Sequence, residues 1–370
     1  MNLSKNKKEY NLFGIKLFSE QKDYNHKTKI FLGLISKEKI YKNFTETRTI
    51  NICNRKIITR TEDDDSIEYN ILDIFKKKIN KTEQTKRILK KYLSNKYNKI
   101  FILKSNLGEA YLFLKYIFNG LIEKSDTPII IATKKYHLEL IEMLTPDIDC
   151  KLLTNLKYET SQKYFTIDNK YVYTAFPMKF YIETEDKVRL GQCHYLSEIY
   201  NYFMLSKENI FEINKIKIKP EVQKNVSEYL KEHNISKFIF ISTKANTCEC
   251  LDEEFWNELE KQLHIKTIRN NKNFSIGEAY TLASKATAII SLRSGLSEIL
   301  SETNKPHIVL YTNFKKRYRF DKIPESQVSK CYSIIGIFPE RKNIYEIAYS
   351  QEYKKQIINW ISDTVNMRIK

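Results

Sequence analysis

The sequence predicts an α/β protein of two open parallel-sheet domains facing a cleft, preceded by a small basic extension. Three observations predict it. From residue 98, apolar strand-like runs alternate with amphipathic helical runs, the pattern of crossover-connected parallel strands. The alternation stops at a connector over 205–219 and then begins again. The cationic surplus is concentrated ahead of it: residues 1–100 hold 24 Lys and Arg against 12 Asp and Glu, in a chain of 370 residues with formal net charge +18.

The first 60 residues carry a weak repeat. NLFGIKLFSEQKDYNHK is followed by KIFLGLISKEKIYKNFT and by a degenerate NICNRKIITRTEDD, each with a short apolar run, twice broken by Gly. Alternation and the glycines predict short hairpin strands. After the acidic break Glu62–Asp65, residues 70–94 show apolar residues at helical spacing on a basic background. Such a helix either lies on a membrane surface or packs on the next domain with its Lys face solvated.

KIFILKS is a continuous apolar strand, NLGEA a turn, and YLFLKYIFNGL a helix ending at Gly120. PIIIAT is a second buried strand, followed by the helix KKYHLELIEML. CKLLT and YVYTA read as short strands, and HYLSEIYNYFML as a helix. Past the connector, Pro220 opens the helix PEVQKNVSEYLKEHN. The second series is KFIFIST, DEEFWNELEKQL, IKTIR, SIGEAYTLASKA, TAIISL, GLSEILSET and HIVLYT, strand and helix in turn. Trp256 and Leu259 share one helical face and read as core, and Asp252 as a helix cap. Residues 345–365 read as helical, packing back across the domain junction. The predicted divisions are 1–95, 96–206, 207–345 and 346–370.

No apolar run reaches the roughly 20 residues of a membrane span. The N-terminus lacks the long apolar region and small-residue cleavage site of a signal peptide. Cys248 and Cys250 form only C-x-C, without a second pair or His cluster, so neither zinc nor another metal is expected. The 25 Tyr and 20 Phe argue against a disordered basic chain. A charge of +18 suits an anionic partner: a membrane surface, a nucleic acid or a phosphate-bearing substrate. No nucleic-acid-reading motif accompanies it, so nucleic acid is the weaker partner.

Ligands of open α/β sheets bind beyond the carboxyl ends of the strands, and three such corners carry suitable chemistry. At IISLRSGLSEIL, the helix start offers unpaired N–H groups and positive dipole to an anion. Arg293 adds a planar cation, Ser294 a hydroxyl, and Gly295 and Leu296 close backbone. Glu298 is placed for ribose hydroxyls. The alternative is an ordinary capped helix. At NLGEAYLF, Asn106 and Gly108 stand where a substrate approaches, and Glu109 is a candidate base toward a hydroxyl, or simply a first-turn acid. Thr243 and Lys244 follow a buried strand and reach for a phosphate at the edge shared with Arg293, unless Lys244 is only a surface lysine. His194 in GQCHYLSEIY is a candidate on the acceptor side.

In order, the strand–Gly–acid–helix corner, the linker, DEEFWNELEKQL and SIGEAYTLASKATAIISLRSGLSEILSETNKPHIVLYT resemble the bacterial GT-B glycosyltransferases of the heptosyltransferase-like group. The resemblance covers roughly residues 98–312 and is strongest over 275–312. It implies two Rossmann-like domains, with a glycan or lipid-linked acceptor on the first and a nucleotide-sugar donor on the second. It implies further a cytoplasmic location, peripheral at the inner face of the membrane, where such enzymes build lipopolysaccharide or capsule. Transfer would need no metal, and Glu109 as base would invert the anomeric centre. The group commonly has Gly-Asp where this chain has Gly108-Glu109. Its Asp-Ser/Thr-Gly-x-x-His is here Arg293-Ser294-Gly295-Leu296-Ser297-Glu298. Its lysine has no clean match, and Glu249 lies near that position. A Glu after Ser-Gly-x-x resembles other GT-B enzymes and sugar-nucleotide epimerases, so an epimerase-like enzyme or an inactive partner subunit is the alternative. A basic nucleic-acid- or membrane-surface-binding protein is more remote.

Overall fold

The computed structural model describes the chain apart from residues 1–5, 13–14, 23–25, 32–34, 43–44, 54, 64–65, 92, 94–95, 157–162, 176–194, 206–211, 271–273, 316–323 and 370. Residues 6–80 form one antiparallel meander of eight strands in chain order. These are β1 (Asn6–Leu12), β2 (Ile15–Lys22), β3 (His26–Phe31), β4 (Ile35–Lys42), β5 (Thr45–Ile52), β6 (Arg55–Glu62), β7 (Ser66–Ile71) and β8 (Phe75–Asn80). The hairpins expected over the first 60 residues are thus part of a larger sheet. Its registers pair β-branched residues across strands, Thr47 with Thr61 and Thr49 with Thr59, as sheet surfaces favour.

The helix expected over 70–94 is corrected. Residues 70–71 close β7, 72–74 turn and 75–80 are β8, and the helix is Lys81–Lys90. Asn80 makes the switch: its side chain accepts from the Glu83 N–H at 2.9 Å, a cap that stops the strand and opens the helix. Leu89 of that helix is fully buried against Ile100 and Ile102, so this face packs on the next sheet.

The first α/β unit is a five-stranded sheet of order β11-β10-β9-β13-β12. Its parallel strands are β9 (Lys99–Leu103), β10 (Pro128–Ala132), β11 (Asp149–Leu152) and β13 (Lys170–Ala175). The edge strand β12 (Tyr164–Ile167) runs antiparallel to β13, joined by Asp168 and Asn169 at φ 47° and 64°. That Asp-Asn pair is a hairpin signal in the sequence that joins a strand not predicted above to YVYTA.

The second unit is all parallel, in the order β15 (Lys266–Arg269), β14 (Phe238–Ser242), β16 (Ala288–Leu292), β17 (His307–Tyr311), β18 (Ile344–Ala348). Residues 345–348 are strand rather than helix. The terminal helix begins at Lys354 and lies along the Glu253–Gln262 helix of the same unit, where the sequence reading placed it against the first unit. Ile358 and Ile361 pack with the buried Trp256 and Leu259, and Ser362 Oγ donates to the Gln262 carbonyl at 2.9 Å. Asp252 caps the 253–262 helix as expected, accepting from Phe255 N at 2.7 Å.

Strand alternation divides the core. Ile100 and Ile102 face one side of the first sheet, while Phe101 and Leu103 face the other. The latter side continues through Tyr111 and Phe113 into Ile299, Tyr311 and Phe338 of the second unit. The space expected as a cleft is therefore bridged here by a continuous apolar core. Among the described residues, no helix is long and apolar enough to cross a membrane.

Candidate functional site

Two of the predicted corners meet at this junction. The helix Leu107–Leu112 follows β9, and the helix Gly295–Leu300 follows β16. Their first turns touch backbone to backbone: a Cβ built on Gly295 would lie 2.3 Å from Gly108 N and 2.8 Å from Gly108 Cα. A Cβ on Gly108 would lie 2.6 Å from Glu298 Oε2. Both glycines are present because only hydrogen fits, which allows two helix N-termini to face each other.

The 294–298 corner is first of all a capped helix. Ser294 Oγ accepts from Ser297 N at 3.2 Å, and Ser297 Oγ returns the bond by accepting from Ser294 N at 2.9 Å. Leu296 adds an apolar side chain to the core. Arg293 is buried and fully engaged. It donates to Glu298 Oε1 at 2.5 Å, to the Tyr332 carbonyl at 2.8 Å and to the Ser294 carbonyl at 2.9 Å. Burial works against this charge, but the Glu298 carboxylate holds the guanidinium above its ordinary range. Glu298 Oε2 is buried with no hydrogen-bond partner. The protein's own carboxylate thus occupies the anion position between the two helix ends.

Glu109 faces the same spot from the first unit. It is half-buried by surface, yet enclosed by enough protein that desolvation raises its carboxyl pKa. Its own N–H and the Asn106 side chain oppose that shift, Glu298 adds to it, and Arg293 opposes it. Asn106 heads the helix without a side-chain cap bond. Asn106, Gly108, Glu109, Arg293, Ser294, Gly295, Leu296 and Glu298 are thus brought to one junction.

A raised carboxyl pKa has a stability consequence. Below the unfolded pKa, Glu109 is protonated in both states. As pH rises past that value, the folded state holds its proton longer, and stability is lost. Glu109→Gln should therefore raise the melting temperature at neutral pH, with the gain shrinking to nothing near pH 4. Melting curves of both proteins across that range test it; a gain independent of pH would show the shift is absent.

The third corner joins by register. Ser242 pairs with Ser291, so Thr243 and Arg293 leave neighbouring strands at one sheet edge. Thr243 is buried with Oγ1 unpartnered, and Lys244 is exposed. His194 lies outside the described residues.

Three groups escaped the sequence reading. His137 Nε2 contacts the Ser105 carbonyl at 3.1 Å, beside the first corner. Its Nδ1 and Ser105 Oγ are buried without partners, and burial pulls its pKa down to about 4. A polar knot ties the units beside the corners. Arg341 donates to the Glu298 carbonyl at 2.6 Å, to Tyr111 OH at 2.7 Å and to Tyr116 OH at 3.2 Å. Glu302 takes Lys115 at 2.7 Å, Arg341 at 3.3 Å and the Tyr111 hydroxyl. Burial pushes Glu302 up to about 7 and Lys115 down to about 8. The third group is Glu139, whose carboxylate accepts from Gly277 N at 2.7 Å and so joins a first-unit helix to the start of a second-unit helix. The spacings Tyr111/Lys115 and Glu298/Glu302 are i,i+4 and would have marked shared faces; Arg341 has no such signal.

The chain is similar to solved sugar transferases. An E. coli ADP-heptose LPS heptosyltransferase II is 9% identical, with 73% of this chain and 98% of that one covered, at TM-score 0.42. A glycosyl transferase family 9 protein from Veillonella parvula is 13% identical, over 75% and 97%, at TM-score 0.45. E. coli heptosyltransferase WaaC, solved with ADP, is 9% identical, over 73% and 99%, at TM-score 0.38. No family model matches the sequence, and no curated protein does.

Proposed function

We propose that this chain is a GT-B glycosyltransferase that moves a sugar from a nucleotide-sugar to a cell-surface glycan or a lipid-linked acceptor. The observation that carries the reading is the meeting of Glu109 with the 293–298 corner, from two parallel-sheet units, at the carboxyl edges of their strands. A donor diphosphate would be held by Arg293, the 294–297 backbone, Thr243 and Lys244, which supply the positive charge without calling on a metal. It would take over the Arg293 contact that Glu298 now makes, leaving Glu298 to the ribose hydroxyls. Donor binding would therefore come with a parting of the two helix starts.

In the transfer step, the acceptor oxygen attacks the anomeric carbon as Glu109 takes its proton. The bond from that carbon to the diphosphate oxygen breaks, and the nucleoside diphosphate leaves with the electron pair. Attack from the side opposite the leaving group inverts the anomeric centre. A raised pKa suits the base, since it brings proton affinity toward the working pH. The acceptor would lie along the first unit near Asn106 and Gly108. The transfer would take place in the cytoplasm, at the inner face of the membrane.

The two facing carboxylates also suit an epimerase-like enzyme acting on one bound sugar. The products separate the two: an epimerase isomerises the nucleotide-sugar with no acceptor present. For the donor site, nucleoside diphosphates and nucleotide-sugars are screened by thermal shift on the wild type and on Glu298→Ala. At least one nucleotide should raise the wild-type melting temperature by several degrees and shift the variant less. A wild type indifferent to every nucleotide removes the donor site.

A further inference from the structure

We infer that one face of the N-terminal sheet, together with its hairpin tips, docks on a membrane surface rich in anionic lipid. Cross-strand pairing stacks Lys27, Lys39, Arg48, Arg60 and Lys77 in one row, with Tyr69 between the last two. At the spacing of neighbouring strands the row spans roughly 24 Å. Glu46 pairs with Lys39 at 3.2 Å and with Arg48, and Glu62 pairs with Arg60. Lys29 and Lys37 stand in the next column of the same face, directly paired with each other, and Glu20 stands across from Lys29, so the seven cations outnumber the three carboxylates. The opposite face carries the threonine columns of β5 and β6, flanked by Glu38 on one side and by Lys76 and the Lys78–Glu68 pair on the other, so the row lies on the more cationic face.

Charge alone fits any polyanion. The tips select a membrane. Strands β5 and β7 end, and β4, β6 and β8 begin, at the same end of the sheet. That end exposes Ile52, Ile71, Leu72, Ile74 and Phe75, with Ile74 86% exposed. Leu72 and Asp73 form the β7–β8 turn at φ 52° and 57°, closed by Ile74 N donating to the Ile71 carbonyl at 3.0 Å. Such turns favour Asn and Gly, and a leucine there is strained. A strained, exposed apolar tip one column from a cationic row is what an interface of headgroups and acyl chains accepts. Asp73 is the opposing charge, and it accepts from Asn70 Nδ2 at 2.6 Å.

The proposal stands apart from the sugar-transfer reading. Its test is co-sedimentation of the full chain with phosphatidylcholine vesicles, with and without phosphatidylglycerol. The wild type should pellet only with the anionic vesicles, and less as salt rises. Leu72→Asn with Ile74→Ser relieves the turn, so it should fold at least as well and yet bind about tenfold less. Lys77→Ser should lower partitioning about fivefold. Equal binding to both vesicle types, no binding, or variants that bind like the wild type would overturn it. So would tight binding to RNA or heparin by a protein that ignores the vesicles.

Discussion

Arg341→Met is expected to destabilise the protein by about 3–5 kcal/mol, the cost of breaking a buried ion pair by removing one partner. Arg341 is 8% exposed. Its guanidinium carbon sits 3.5 Å from the Phe338 ring centroid and its N–H groups serve the Glu298 carbonyl, two tyrosine hydroxyls and Glu302. Methionine keeps much of the stem packing but leaves Glu302 with Lys115 as its remaining cation. Burial already pushes Glu302 up to about 7, so loss of Arg341 should push it further and make the defect grow with pH. Arg341→Lys should not rescue, because a single ammonium cannot reproduce the planar fork. Adding Glu302→Gln to Arg341→Met should restore part of the loss, since the stranded charge is then gone. Chemical denaturation of the wild type, Arg341→Met, Glu302→Gln, the double variant and Arg341→Lys decides it. Additive effects would mean that the two groups are not coupled.

Gly295→Ala carries the second large effect. The new methyl meets only backbone, Gly108 N at 2.3 Å, Gly108 Cα at 2.8 Å and the Leu107 carbonyl carbon at 3.0 Å. One unit must move, and overpacking of this kind costs about 1–3 kcal/mol or more. Gly108→Ala is the control. Its methyl meets the end of the Glu298 side chain first, although Gly295 Cα follows at 3.1 Å, so it should cost less. Melting temperatures of the two variants give the comparison, and equal losses would show that the units are not in backbone contact.

Most of the two α/β units was legible in the sequence, because buried parallel strands are continuous apolar runs: KIFIL, PIIIA, FIFIS, AIISL and HIVLY are all strands. The misses have local causes. Residues 70–80 have apolar residues at spacings that suit a helix, but Asn80 as a cap moves the helix start to residue 81. IYEIA was absorbed into the helix that follows it. Its Glu346 is polar within a strand because it caps the Ile334–Ile337 helix, accepting from Ser333 Oγ at 2.6 Å and from the Ile334 N–H. Strand edges and corners told where a site could be, since Gly108 and Gly295 mark close backbone approach. The Arg293–Glu298 pair was not legible, because two opposite charges five residues apart read as two separate ligand contacts. Folding turned them on each other.

The central claim is that Glu109 and the 293–298 corner form one transferase site. Release of nucleoside diphosphate from a panel of nucleotide-sugars, with an acceptor glycan present, tests it most directly when Glu109→Gln is run beside the wild type. The account predicts turnover by the wild type and its loss in the variant, with the thermal shift from the nucleotide retained. Undiminished turnover by Glu109→Gln would contradict it.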